Sequence, residues 1–283
     1  STSTHSEDRP HPFWLKLPAR LTSALVLELT PLQNATGPES CSASLAMAAT
    51  TYGNVAAAPP QQQIMGGDIF MGAQKIFIKQ EMAVIELCGI EAKQRYRISI
   101  PTQDNQEGQV FLYISEESDC LMRVCCSKNR ALKLKVHNGP SKEGEVIQTM
   151  EMPFHCSGPC PCMRPNFTVQ SGGETIGSID DPCHCCTMDQ KVLSKDGSEV
   201  FTVDGSICQV GMCCPCCAPV TFEAKKNGTK VGGVEKLPLD LSDCCMKTNR
   251  FIVDFGALQD PNERKLMLAS AMLLDLEYFE EDK

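Results

Sequence analysis

Residues 260–279 read Asp-Pro-Asn-Glu-Arg-Lys-Leu-Met-Leu-Ala-Ser-Ala-Met-Leu-Leu-Asp-Leu-Glu-Tyr-Phe. Asp260 stands where an N-cap carboxylate stands, Pro261 follows at N1, and Glu263 at N3 is placed to close a capping box. From Leu266 to Leu274 every face of the resulting helix, Pro261–Phe279, is apolar apart from the small Ser270. A helix with no polar face must be enclosed rather than laid on a surface. Lipid is one enclosure, but Leu266–Phe279 is fourteen residues, about 21 Å of helix against a hydrocarbon core of about 30 Å. It also carries Asp275 and Glu277, each costing about 3 kcal/mol at mid-bilayer. Threaded through a closed β-barrel, the same helix buries its faces without lipid. Asp275 then accepts hydrogen bonds inside the barrel, whereas in a membrane it would mark a functional carboxylate.

The residues before this helix carry the period of strands. QRYRISI (94–100), QVFLYIS (109–115), LKLKVH (132–137), EVIQTME (145–151), FTVQ (167–170), EVFTVDG (199–205) and VTFEA (220–224) alternate polar with β-branched or aromatic residues. Gly, Pro, Asn and Asp punctuate them, and Lys195-Asp196-Gly197-Ser198 is a hairpin turn, since Gly supplies the positive φ. The middle repeats. Hairpin, cysteine–proline knot, strand and glycine turn recur in one order, and Pro161 to Pro215 is 54 residues, as is Cys162 to Cys216. Such a period describes quasi-symmetric β units closing one sheet. Residues 64–283 are therefore expected to form one domain. Residues 1–63, rich in Ser, Thr, Pro and Ala and ending NVAAAPPQQQ, are expected to be a mobile leader with one short helix around Leu21–Leu29.

The formal charge is −9 and the pI about 5.1. No general nucleic-acid binder is built this way, because phosphates call for a basic face. Purely electrostatic attachment to anionic lipid is excluded for the same reason. The eighteen cysteines include five adjacent pairs: Cys125–Cys126, Cys185–Cys186, Cys213–Cys214, Cys216–Cys217 and Cys244–Cys245. Secreted disulfide frameworks spread their cysteines, so this crowding points to a reducing compartment. No G-x-S-x-G, H-E-x-x-H or P-loop is present, and no thiol is singled out as a nucleophile.

SDCLMRVCC (118–126), CSGPCPC (156–162), CQVGMCCPCC (208–217) and the closing AMLLDLEYFEE (271–281) occur in an order and spacing that resemble the phospholipid scramblase family. The resemblance covers about residues 64–283. It implies a Tubby-like fold, mainly β, in which a closed twelve-stranded barrel wraps a central hydrophobic C-terminal helix. It also implies attachment to the cytoplasmic face of the plasma membrane, through the C-terminal helix, palmitoylated cysteines or both. Calcium binding near the C-terminus and ATP-independent, bidirectional movement of phospholipids between leaflets complete the implied picture, with membrane phospholipids as partners and no nucleic acid.

This chain departs from the family pattern in two places. The dense Cys-Cys-Pro-Cys-Cys falls one repeat late, so the expected palmitoyl sites are Cys213, Cys214, Cys216 and Cys217, with Cys160 and Cys162 second. Clustering is what stable anchoring demands, since two acyl chains hold where one does not. Where relatives carry an acidic calcium segment this chain has the basic Met246-Lys247-Thr248-Asn249-Arg250, leaving Asn249, Asp254 and Asp260 as nearby oxygen donors. Calcium takes six to eight oxygens, so a site built on Asp254 and Asp260 is expected to be weak. Zinc is the alternative metal, on thiolates with His155 or His184 beside them. Buried small hydrophobes are the third reading of the cysteines. Two functions stay open: a lipid translocator rather than a bond-making catalyst, and a membrane-tethered lipid-binding or interaction protein without transport.

Overall fold

The computed structural model describes residues 69–81, 93–155, 164–182, 187–240, 243 and 248–280. The expected leader, Cys160 and Cys162 lie outside them. Twelve strands follow one another in the chain: β1 Lys75–Gln80, β2 Arg95–Ser99, β3 Val110–Glu117, β4 Leu132–Asn138, β5 Val146–Met152, β6 Asn166–Ser171, β7 Glu174–Asp180, β8 Thr187–Ser194, β9 Glu199–Ser206, β10 Val220–Lys226, β11 Thr229–Lys236 and β12 Arg250–Asp254. Each pairs antiparallel with its neighbour in sequence, and β12 returns to pair with β1, Ile78 facing Phe251. The sheet closes on itself and has no free edge. Two short helices, α1 Cys120–Cys126 and α2 Val210–Cys213, lie in the β3–β4 and β9–β10 connections.

The strand alternation read from the sequence is the inside–outside alternation of the barrel. Leu112 and Ile114 of β3, Leu132, Leu134 and Val136 of β4, and Phe201 and Val203 of β9 point inward and are buried. Helix α3, Pro261–Leu274, fills the space they line. Leu266 through Leu274 are all buried, as enclosure requires, and the hydroxyl of Ser270 is bonded to the side-chain amide of Gln190. Gly177 of β7 lets the helix approach: a Cβ there would lie 3.0 Å from a methyl of Leu266 and 2.2 Å from the Leu193 carbonyl oxygen.

Both ends of α3 differ from expectation in detail. Asp260 caps as foreseen, its Oδ1 accepting from Asn262 N at 3.1 Å. Glu263, however, does not reach back to it and accepts from Lys226 Nζ at 2.6 Å. At the far end the α-helix stops at Leu274, and Asp275–Phe279 form a π-helical turn instead of continuing it. Arg264 closes the N-terminal end of the barrel. It is buried, donates from Nε to Leu258 O and from Nη1 to Phe70 O and Ala73 O, each at 2.8 Å, and lies over the Phe255 ring.

Features on either side of the repeat recur in the structure, at a spacing of 55 residues rather than the 54 between the prolines. The β6–β7 turn, Gly172-Gly173, and the β10–β11 turn, Asn227-Gly228, both place two successive residues at positive φ, the geometry of a tight primed hairpin. The register shifts at Val169/Gln170 and again at Ala224/Lys225. The Lys195–Ser198 turn forms as expected, with Gly197 at φ 83°.

An empty barrel has no core, so removing residues 261–283 should abolish the cooperative thermal transition monitored by circular dichroism. The milder Leu268→Ala should keep that transition and cost about 2–5 kcal/mol in urea titration. A cooperative melt from the truncated chain would show that the barrel stands without its helix.

Candidate functional site at one end of the barrel

An antiparallel meander sends alternate connections to opposite ends. The β1–β2, β3–β4, β5–β6, β7–β8, β9–β10 and β11–β12 connections all join strands at the end where α3 finishes. In chain position, every cysteine after the leader belongs to one of these six connections, and none belongs to a strand or to a connection at the other end.

The same end holds a buried polar cluster assembled around the π turn. Asp275, 1% exposed, accepts from Tyr96 Oη at 2.7 Å and from Asn249 Nδ2 at 2.8 Å. Burial pushes its pKa up to about 6 although both hydrogen bonds favour the ionised form. Arg130, fully buried, grips Glu116 with Nε at 2.8 Å and Nη2 at 3.0 Å, and reaches Glu280 with Nη1 at 3.0 Å. Gln94 completes this knot by donating its backbone N to Glu116 at 2.7 Å and its side-chain amide to Glu280 at 2.9 Å. Burial raises Glu280 to about 7 against the pull of Arg130. A second knot joins Arg164 to Asp181, with Tyr278 Oη donating to Asp181 at 3.2 Å. Glu277 lies 3.5 Å from Arg164 and 3.9 Å from the buried His155, and burial lifts it to about 7. Burial lowers the pKa of His155.

These contacts place the residues expected from the sequence. Asp275 and Glu277 come together in one cluster, and Asn249, expected near calcium, donates to Asp275 instead. Asp254 and Asp260 lie at the opposite end. Asp254 accepts from Gly256 N at 2.9 Å and pairs with Lys75 at 3.2 Å, in a cleft over Gly232 and Gly233. Asp260 lines a different cleft with Glu174 and Glu263.

In the α2 loop, Cys214 and Cys217 are joined by a disulfide, and Cys216 Sγ lies 3.7 and 3.9 Å from their sulfurs. Cys213 and Cys216 carry free, exposed thiols. The three sulfurs of Cys214, Cys216 and Cys217 lie within 4.8 Å of one another. Once reduced, they offer a soft metal such as zinc three of the four ligands of a tetrahedral site. Sequence reasoning missed Tyr96, Arg130, Glu116 and Glu280. A signal existed for Glu116, which continues the inward-facing series Leu112 and Ile114 of β3.

The Scramblase family model matches residues 55–281. The chain belongs to the scramblase family. Phospholipid scramblase 2 of Bos taurus is 26% identical over 228 residues, 78% of this chain and 74% of its own length. Phospholipid scramblase 1 of Homo sapiens is 27% identical over 228 residues, 78% of this chain and 68% of its own. Phospholipid scramblase 4 of Mus musculus is 24% identical over 212 residues. No solved structure matches the chain. Among the described residues no helix of this scramblase family member is long and apolar enough to cross a membrane.

The cluster sets a pH dependence. Asp275, Glu277 and Glu280 have raised folded-state pKa values, about 6, 7 and 7. Between about pH 4.5 and 7 the folded chain therefore keeps protons that the unfolded chain releases, and stability falls as pH rises. His155 acts in the opposite sense over part of that window, as one group against three. The melting temperature should be higher at pH 5.5 than at pH 8 at constant ionic strength, and Asp275→Asn should shrink the difference. Asp275→Leu removes the acceptor of Tyr96 Oη and one of the two acceptors of Asn249 Nδ2, which keeps Phe279 O, and should cost about 1–3 kcal/mol in denaturant titration. A melting temperature that rises steadily from pH 5.5 to 8 would contradict this account.

Proposed function

We propose that this chain moves phospholipids between membrane leaflets in both directions without ATP, while attached to the cytoplasmic face of the plasma membrane. The observation that carries the proposal is the unbroken family match across barrel and helix, residues 55–281. Attachment comes from S-acylation of the α2 loop, at Cys213 and Cys216 first because their thiols are free and exposed. Cys214 and Cys217 become available on reduction of their disulfide, and Cys160 and Cys162 form the second group. Zinc on the reduced thiols competes with the acyl chains for the same sulfurs. Calcium activation is a further component of the proposal. Asp254 and Asp260 are its candidate ligands, and the affinity is weak because the two line different clefts and both carboxylates already have partners.

A second reading is favoured by the filled barrel. With α3 packed inside, the interior is apolar side chains rather than a path for headgroups. A membrane-tethered protein that binds lipids or partners without moving them fits that observation. On the transport reading, lipid crosses outside the barrel, where the protein thins or disorders the bilayer.

Purified protein in liposomes carrying a fluorescent lipid, quenched from outside by dithionite with and without Ca²⁺, separates the two. Transport should carry quenching from about half of the signal towards completion, as follows from equal leaflets. Quenching that stays at half under every ion condition, with the protein shown to be on the vesicles, gives the tethered reading. Separately, Cys213→Ala with Cys216→Ala should lower the hydroxylamine-sensitive lipid on the chain and its share in the membrane fraction. An unchanged membrane share would remove the α2 loop from the anchor.

A further inference from the structure

Helix α1 is inverted relative to an ordinary surface helix. Its one charged residue, Arg123, is turned inward and buried, Nη1 donating to Ser118 O at 2.8 Å and Ser118 Oγ at 3.0 Å. The outward face is Cys120, Leu121, Val124 and Cys125, at the i, i+1, i+4, i+5 spacing of a single helical stripe. Leu121 is 70% exposed and Val124 68%, and both thiols are free and exposed. A soluble surface would place the guanidinium outside and the aliphatic side chains inside.

The α2 loop repeats the pattern one repeat later, at the same end of the barrel. No charged residue occurs from Ile207 to Pro219, and Ile207 and Val210 are exposed. Phe154, directly after β5, is exposed there too. Apolar side chains and free thiols thus coincide at two places on one end, and the second, the loop proposed above to carry acyl chains, bears no charge. A protein partner would be expected to meet polar rim groups around such a patch. A face of aliphatic side chains and thiols matches the acyl region of a bilayer instead.

We propose that α1 is an S-acylation and membrane-insertion site, with Cys120 and Cys125 as the modified residues, and that the barrel stands end-on to the bilayer with the α3 C-terminus facing it. The donor is a long-chain acyl-CoA acting through a membrane acyltransferase. The Sγ–acyl bond forms as the acyl–sulfur bond of the CoA thioester breaks, and the thiol proton leaves with the CoA sulfur. Two chains on one helical stripe meet the requirement for stable anchoring, and Leu121 and Val124 lie between them. The inference rests on the membrane-attached part of the proposed function but not on lipid transport.

Acyl groups on the full chain expressed in cells are counted by hydroxylamine cleavage and maleimide–polyethylene glycol tagging of the freed thiols. Cys120→Ser with Cys125→Ser should remove two mobility steps, both in the native background and in one carrying Cys213→Ser and Cys216→Ser. An unchanged number of steps overturns the site, and zinc recovered with the chain in place of acyl groups overturns it in favour of metal. For the orientation, Leu121→Glu with Val124→Glu should reduce the membrane-pelleted share at least twofold, while Ile100→Glu, at the opposite end and also exposed, should leave it unchanged. Equal losses from the two ends overturn the end-on arrangement. If the native chain carries both tags yet fails to scramble lipid in vesicles, this inference stands and the transport reading falls.

Discussion

A helix that is apolar on every side cannot rest against one surface, because each face left in water forfeits the hydrophobic gain that would hold it. The barrel is the answer to that constraint: twelve antiparallel strands close around α3 and bury Leu266 through Leu274. Much else follows from it. The strands alternate because one side must meet the helix, Gly177 lacks a side chain because the helix passes it closely, and Arg264 is spent on carbonyl oxygens because the helix start must be tied to the chain around it. The core is one body of side chains contributed by the whole circumference. Loss of the helix therefore removes the partner of every strand at once.

The helix has to end somewhere, and its end is polar. The π turn meets buried side chains in which Glu116 and Glu280 face the guanidinium of Arg130, Asp181 and Glu277 face that of Arg164, and Asp275 is held by Tyr96 and Asn249. Burial outweighs the pull of the neighbouring cations and hydrogen bonds, so Asp275, Glu277 and Glu280 hold their protons more tightly than in water. The consequence is a folded state that prefers mildly acidic conditions. The same bonds tie down the segment between α1 and β4, which holds Arg130, and the start of β12, which Asn249 precedes.

In chain position the cysteines after the leader are confined to alternate connections of the meander, and those among the described residues lie in the α1 and α2 connections at one end of the barrel. On the reading proposed above, that segregation and the exposed aliphatic residues of α1 and α2 mark the end that meets lipid. They also separate two roles. The helix stabilises the barrel from inside, and the loops at its C-terminal end carry the surface chemistry. Asp254 and Asp260 are at the opposite end, so any action of calcium through them would be exerted away from the cysteine face.

The sequence by itself determined the elements with a strong local signal. The alternating runs became strands, Gly197 and the paired glycine turns sat where positive φ was needed, Asp260 capped its helix, and the all-round apolar stretch required an enclosure that only a closed sheet could give. The ordered cysteine motifs carried the family. Pairing across the barrel was decided by tertiary structure alone. Tyr96 and Asp275 are 179 residues apart, and Arg130 and Glu280 are 150 apart, and neither pair leaves a periodic trace. The capping box at Glu263 yielded to Lys226, and the regular helix yielded to a π turn at Asp275, because a distant partner outcompeted the local one. That the cysteine-bearing connections all join strands at one end also depended on strand order. Local patterns are written in backbone preference and burial period, which a linear chain displays. The partners of buried charges are chosen by proximity in space, which only the closed barrel defines.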